Sequence, residues 1–234
     1  MTRYPTPDTN EDNTTGKHLD INQSIQMDEP ASVVQKPPAK PLYTRVARYV
    51  SNILAPATIS LPLVLLLAFY HAHDPGKALF YAGITLLFAS LGPLIYIIIG
   101  VRLGKLSDID VSRRSQRSGP FLFGLISVTL GLFILLALHG PKVLTTLLII
   151  TIVSGLCMMF ITIWWKISIH ASSLAGAVTI LTGLYGALML PAFLLLALVC
   201  WSRVVLRRHT IAQVIAGSLL SIALTTGILW LRGV

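Results

Sequence analysis

Runs of apolar residues about as long as a bilayer is thick recur along this chain, and that repetition leaves few ways for it to fold. Residues 49–70, 78–101, 121–140 and 143–165 are nearly free of charge, and each supplies the roughly 20 residues that a helix needs to cross a hydrocarbon core about 30 Å thick. Residues 171–200 form a further run, which as a single helix would measure about 45 Å, too long for a comfortable span. The glycine and proline of "GALMLP" (186–191) predict a break into two short helices, and a last span covers residues 211–230. The expected fold class is all-α, a polytopic transmembrane helix bundle of about six to seven spans. Seven follow from the break at 186–191, and a tilted single helix over that run is the alternative.

Composition narrows the partners. The chain is 54% hydrophobic and 12% charged, with a mean hydropathy of +0.76, which excludes an ordinary soluble domain. Of the nine acidic residues only Asp74, Asp108 and Asp110 lie beyond residue 30, so the net charge of +9 sits in and beside the membrane part. No soluble basic domain exists to hold nucleic acid. Anionic headgroups of the bilayer or a phosphorylated lipid are the expected partners. Residues 1–44 are polar and proline-containing, with no basic-then-apolar leader, and predict a disordered N-terminal tail ahead of a membrane domain at 45–234. Cys157 and Cys200 lie inside apolar runs without metal-ligand spacing and are expected to act as small hydrophobes.

Three polar clusters interrupt the apolar sequence: "SDIDVSRRSQRSGP" (107–120), "WKISIHASS" (165–173) and "WSRVVLRRHTIAQ" (201–213). With seven spans, two crossings separate each from the next, so all three emerge on one face. Arg45 and Arg48 share that face, whereas the other has Lys77, Lys142 and Arg232. The positive-inside bias therefore implies that the N-terminus and the site face the cytoplasm, and the cell membrane is the expected location. Arg203 and Arg207 are four apart and share a helix face, where a bound anion would relieve their repulsion; a basic membrane edge is the plainer reading. Ser168 and His170 precede a helix whose first N–H groups suit phosphate oxygens, with Lys166 adding charge. Arg113, Arg114 and Arg117 offer planar forks for bidentate phosphate recognition, beside Asp108 and Asp110. His71 and His73 next to Asp74 are expected to be interfacial rather than a metal site.

Together these clusters resemble the type-2 phosphatidate phosphatase superfamily, which includes lipid phosphatases and vanadium haloperoxidases. The family's serine-arginine, five residues, histidine, three residues, aspartate motif is matched by Ser202, Arg203 and His209, with Gln213 in place of the aspartate. Its proline-serine-glycine-histidine motif aligns with Ser168 and His170, with Ile167 and Ile169 in place of proline and glycine. Its lysine, six residues, arginine-proline motif is met by Arg117, with Arg114 as a rival, with Asp110 where lysine is usual and with the proline delayed to Pro120. The resemblance implies a metal-independent, cofactor-free membrane phosphatase acting on a lipid phosphomonoester or diphosphate. In it His209 would attack phosphorus to form a phosphohistidine, and His170 would protonate the leaving oxygen. Arg203, Arg117 and Ser168 would hold the phosphoryl oxygens. Gln213 could accept the hydrogen bond of the usual aspartate but brings no charge, so Asp108 or Asp110 is the expected substitute.

Two other readings stand beside it. "DIDVSRRSQR" is similar to the aspartate-rich loops with which membrane prenyltransferases bind diphosphate through Mg²⁺. A non-catalytic protein that binds or translocates a lipid phosphate would keep the anion site while tolerating the altered motifs.

Overall fold

The computed structural model describes residues 41–70, 72–111 and 113–234, and of Arg114 the backbone alone. Residues 1–40 of the expected tail and His71 of the weighed metal pair lie outside the described residues. Among the described residues the regular structure is helical throughout: α1 (Leu42–Ile53), α2 (Pro56–Phe69), α3 (Pro75–Leu86), α4 (Gly92–Arg102), α5 (Ser118–Ala137), α6 (Lys142–Trp164), α7 (Ile169–Tyr185), α8 (Phe193–Val205) and α9 (Ile211–Arg232).

Five helical stretches among these residues are long and apolar enough to cross a membrane, and α1 with α2, bent by 43°, makes a sixth. The protein is an all-α, multi-pass transmembrane helix bundle. Large apolar side chains such as Ile126, Phe133, Phe160, Leu194 and Leu219 stand exposed on its outside, as hydrocarbon solvent favours. The first span departs from the single helix expected over 49–70. Ala55 is extended (ψ 150°) ahead of Pro56 at the start of α2, because a residue before proline is pushed out of the helical region.

Ile169–Val205 is a continuous helical stretch of 37 residues, yet it is folded back on itself. His170 and Arg203, 33 positions apart, would be about 50 Å apart on a straight helix. Both instead approach the same Asp110 carboxylate. The reversal follows Gly186, whose φ of 71° with ψ of −156° is open essentially to glycine alone, and a 3-10 turn continues over Gly186–Ala192. α7 and α8 then pack through Leu174, Val178, Leu196 and Val199. At the far end of the bundle the Tyr70 and Tyr185 rings meet edge to face, and Tyr185 Oη donates to Leu66 O at 2.9 Å.

Two further features shape the site's surroundings. Between α3 and α4, Leu87–Leu91 forms a π turn; Ser127 Oγ of α5 donates to Phe88 O at 2.7 Å, and Gly131 admits the Phe88 side chain. α7 and α9 meet through small residues: a Cβ on Gly176 would lie 2.9 Å from Ser221 Oγ, and one on Gly217 would lie 2.9 Å from Ser168 O. Such close backbone approach is how membrane helices gain packing energy without a hydrophobic drive.

Candidate functional site

The three polar clusters meet at one end of the bundle. Asp110, Arg117, His170, Arg203 and His209 line a single cavity of about 290 Å³, together with apolar residues such as Pro93 and Phe121. A second cavity of about 310 Å³ shares Pro56, Ala89, Pro93, Pro120, Phe121 and Ile169 with the first. It continues between α2, α5, α6 and α7 toward Val64, Leu147 and Ile180.

Arg203 lies in the last turn of α8 and is 3% exposed. One guanidinium nitrogen donates to Ser51 Oγ at 2.7 Å and to Asp110 Oδ2 at 3.1 Å. Its Nε is buried without a hydrogen-bond partner among the described residues, a costly condition for a charged donor. Ser51, on the buried side of α1, went unrecognised in the sequence; it sits one helical turn after the buried Ala47, and only its contact with Arg203 marks it.

Arg117 is equally buried. Its Nε donates to Val111 O at 3.0 Å, and a terminal nitrogen donates to Ile167 O at 3.2 Å. It therefore ties the α4–α5 loop to the segment before α7, using backbone acceptors that no side-chain motif reveals. Burial, and then the neighbouring Arg203, lower its hold on its proton, while Asp110 and Asp108 oppose that. His170 Nε2 faces Asp110 Oδ1 at 4.0 Å.

His209 follows a turn in which Arg207 takes a left-handed φ of 52°. Gln213 Oε1 accepts from the Thr210 N–H at 3.2 Å, while Thr210 Oγ1 accepts from the Gln213 N–H at 3.3 Å. This reciprocal cap opens α9. The same Oε1 lies 3.2 Å from His209 Nδ1. An amide oxygen only accepts, so Nδ1 carries the proton and Nε2 the lone pair. Burial first, then Arg203, Arg117 and Lys166, hold the His209 pKa down from 6.5 to about 3, so the ring is neutral at physiological pH.

That depression has a sign. The unfolded chain takes up a proton at His209 below about 6.5, whereas the folded protein resists it down to about 3, so stability is full above the first value and falls as pH drops toward the second. Acidification from pH 7 to pH 4 is expected to lower the melting temperature of the parent more than that of His209→Gln. Equal falls would assign the acid sensitivity elsewhere.

The other described residues singled out in the sequence are not on the wall of this cavity. Ser168 is fully buried and caps its own helix, its Oγ accepting from Ala171 N at 3.4 Å. Lys166 stands beside the site, its proton affinity lowered by burial and then by Arg117, Arg208 and Arg203. Asp108 Oδ2 accepts from Ser107 Oγ at 3.0 Å. Arg207 does not share a helix face with Arg203, because α8 ends at Val205 and Arg207 is exposed on the turn beyond it. The Arg114 side chain lies outside the described residues. Asp74 caps α3 through Gly76 N at 2.8 Å.

Compared with known proteins, the chain matches no family model, no curated protein and no solved structure. The resemblance to the type-2 phosphatidate phosphatase superfamily is corrected accordingly: the described residues hold no strand and no mixed α/β catalytic segment, and no family model supports the motif alignment. The phosphohistidine hydrolase mechanism falls with it. His209 Nδ1 is backed by the uncharged Gln213, and Asp110, expected as a substitute acid, is turned to Arg203 and His170 instead. The Mg²⁺-dependent prenyltransferase reading is overturned as well, since no group of three or more His, Cys, Asp or Glu side chains gathers among the described residues.

Proposed function

We propose that this membrane protein binds the phosphate group of a membrane amphiphile in the basic cavity, with the hydrocarbon chain in the adjoining apolar cavity, to hold or translocate it. The observation that carries the reading is the buried Arg203 with an unpartnered Nε, on the wall of a pocket that also presents Arg117 and a neutral imidazole. Two guanidinium forks supply charge-assisted donors for phosphate oxygens, and the His209 lone pair can accept from a protonated one. The shared wall between the two cavities supports a ligand with a charged head and an apolar tail. The site end also bears Arg45, Arg48, Arg102, Lys105 and Arg208, against Lys77, Lys142 and Arg232 at the other end, which supports a cytoplasm-facing site.

A chain-length test follows. Gly124 lines the apolar cavity, and a Cβ there would meet nothing within 4 Å. Gly124→Leu is expected to fill the cavity, weakening dodecyl phosphate binding about tenfold, the worth of roughly two buried methylenes, while leaving inorganic phosphate binding unchanged. Equal effects on both ligands would remove the tail from this cavity. Steady release of inorganic phosphate from dodecyl phosphate would contradict a binding role.

A further inference from the structure

We propose that the Asp110 carboxylate is an internal occupant of the anion pocket that a phosphate must displace from Arg203, which makes Asp110 the residue that sets the affinity of the site. The inference rests on the reading that this pocket takes a phosphate group. A carboxylate and a phosphate compete for the same guanidinium fork. Asp110 presents one oxygen to Arg203 at 3.1 Å and turns the other toward His170 at 4.0 Å, so both oxygens face groups that line the cavity. Its side chain is 34% exposed, which gives it a path into water.

The segment that carries Asp110 is built to let go. Val111, the next residue, has a φ of 45°, a strained conformation for a β-branched side chain. Among the described residues three hydrogen bonds hold it there: Val111 N donates to Asp108 O at 3.0 Å, Val111 O accepts from Arg117 Nε at 3.0 Å, and Asp110 Oδ2 accepts from Arg203 at 3.1 Å. Two of these three end on the arginines that a phosphate would engage. An anion that takes both guanidinium groups therefore removes two of the three hydrogen bonds that hold the strained backbone, and relaxation of Val111 favours the displaced position. The loop's base has its own fastening: Ser107 N donates to Gln116 Oε1 at 3.0 Å, and Leu106 is buried against Gly100. The displaced part is thus the short stretch around Asp108–Val111.

The full chain in detergent, titrated with inorganic phosphate by calorimetry, tests this against Asp110→Asn and Asp110→Ala. Both variants are expected to bind at least about tenfold more tightly than the parent, since a like charge a few ångström from the anion is gone. Unchanged or weaker affinity, with the parent binding, would overturn the displacement and leave the anion site standing. No binding by parent or variants would overturn both. Hydrogen exchange on the parent gives a readout independent of how the variants fold: phosphate is expected to speed exchange of the Val111 amide, and slowed exchange there would overturn the proposal.

Discussion

Replacing Arg203 with leucine is expected to abolish measurable binding of both dodecyl phosphate and inorganic phosphate. Two charge-assisted hydrogen bonds from one guanidinium are worth about 1.5–3 kcal/mol each, so losing both raises Kd by more than about a hundredfold. The fold suffers as well, because Ser51 Oγ and Asp110 Oδ2 lose their common donor. With the Asp110 side chain one-third open to water, the stability loss is about 1–2 kcal/mol rather than the larger cost of orphaning a fully buried charge. Arg203→Lys keeps the charge but not the fork, and falls between the two. Titration calorimetry for binding and a melting curve in detergent check the two effects separately. Binding by Arg203→Leu within threefold of the parent would remove this residue from the site.

Substituting Gly217 is expected to damage the site from outside it. A Cβ there would lie 2.9 Å from Ser168 O, 3.4 Å from Ile167 Cγ1 and 3.6 Å from Ser168 N. Two of those atoms are backbone, which cannot swing away as the tip of a side chain does. The displaced segment carries Ile167 O, the acceptor for Arg117, and leads into His170. Gly217→Val is therefore expected to cost about 1–3 kcal/mol of stability and to weaken dodecyl phosphate binding by about tenfold or more. Gly227→Ala serves as the control on the same helix, since a Cβ there meets nothing within 4 Å; it is expected to leave binding unchanged and to gain up to about 1 kcal/mol of helix stability. Equal behaviour of the two variants would show that close approach of α9 to Ser168 does not matter to the site.

Much of the architecture is legible in the chain because bilayer thickness and helix rise fix the length of each apolar run. Gly186 and Pro191 announced the fold-back of α7 on α8 because a run of that length cannot stay extended across one bilayer. Counting crossings put the 107–120, 165–173 and 201–213 stretches on one face of the membrane, which is less than their meeting at one cavity. The detail within the site was hidden for physical reasons. Val111, next to Asp110, adopts a backbone conformation its side chain disfavours, so no propensity points to it. Arg207 breaks the helical spacing that linked it to Arg203 because α8 ends two residues earlier. Ser51 and the carbonyl of Ile167 are partners that only tertiary contact supplies. The alignment of motifs located residues that sit together, but the chemistry inferred from it required charge behind His209, where Gln213 supplies a neutral cap.

Titration of dodecyl phosphate into the purified protein, with Arg117→Ala and His209→Ala alongside, tests most directly whether separate polar stretches form one anion site. Saturable one-to-one binding by the parent is expected, weakened at least about tenfold by Arg117→Ala, the worth of a single charge-assisted contact, and about threefold or more by His209→Ala, the worth of a neutral hydrogen bond. Absence of saturable binding, or binding indifferent to both substitutions, would contradict a single anion site.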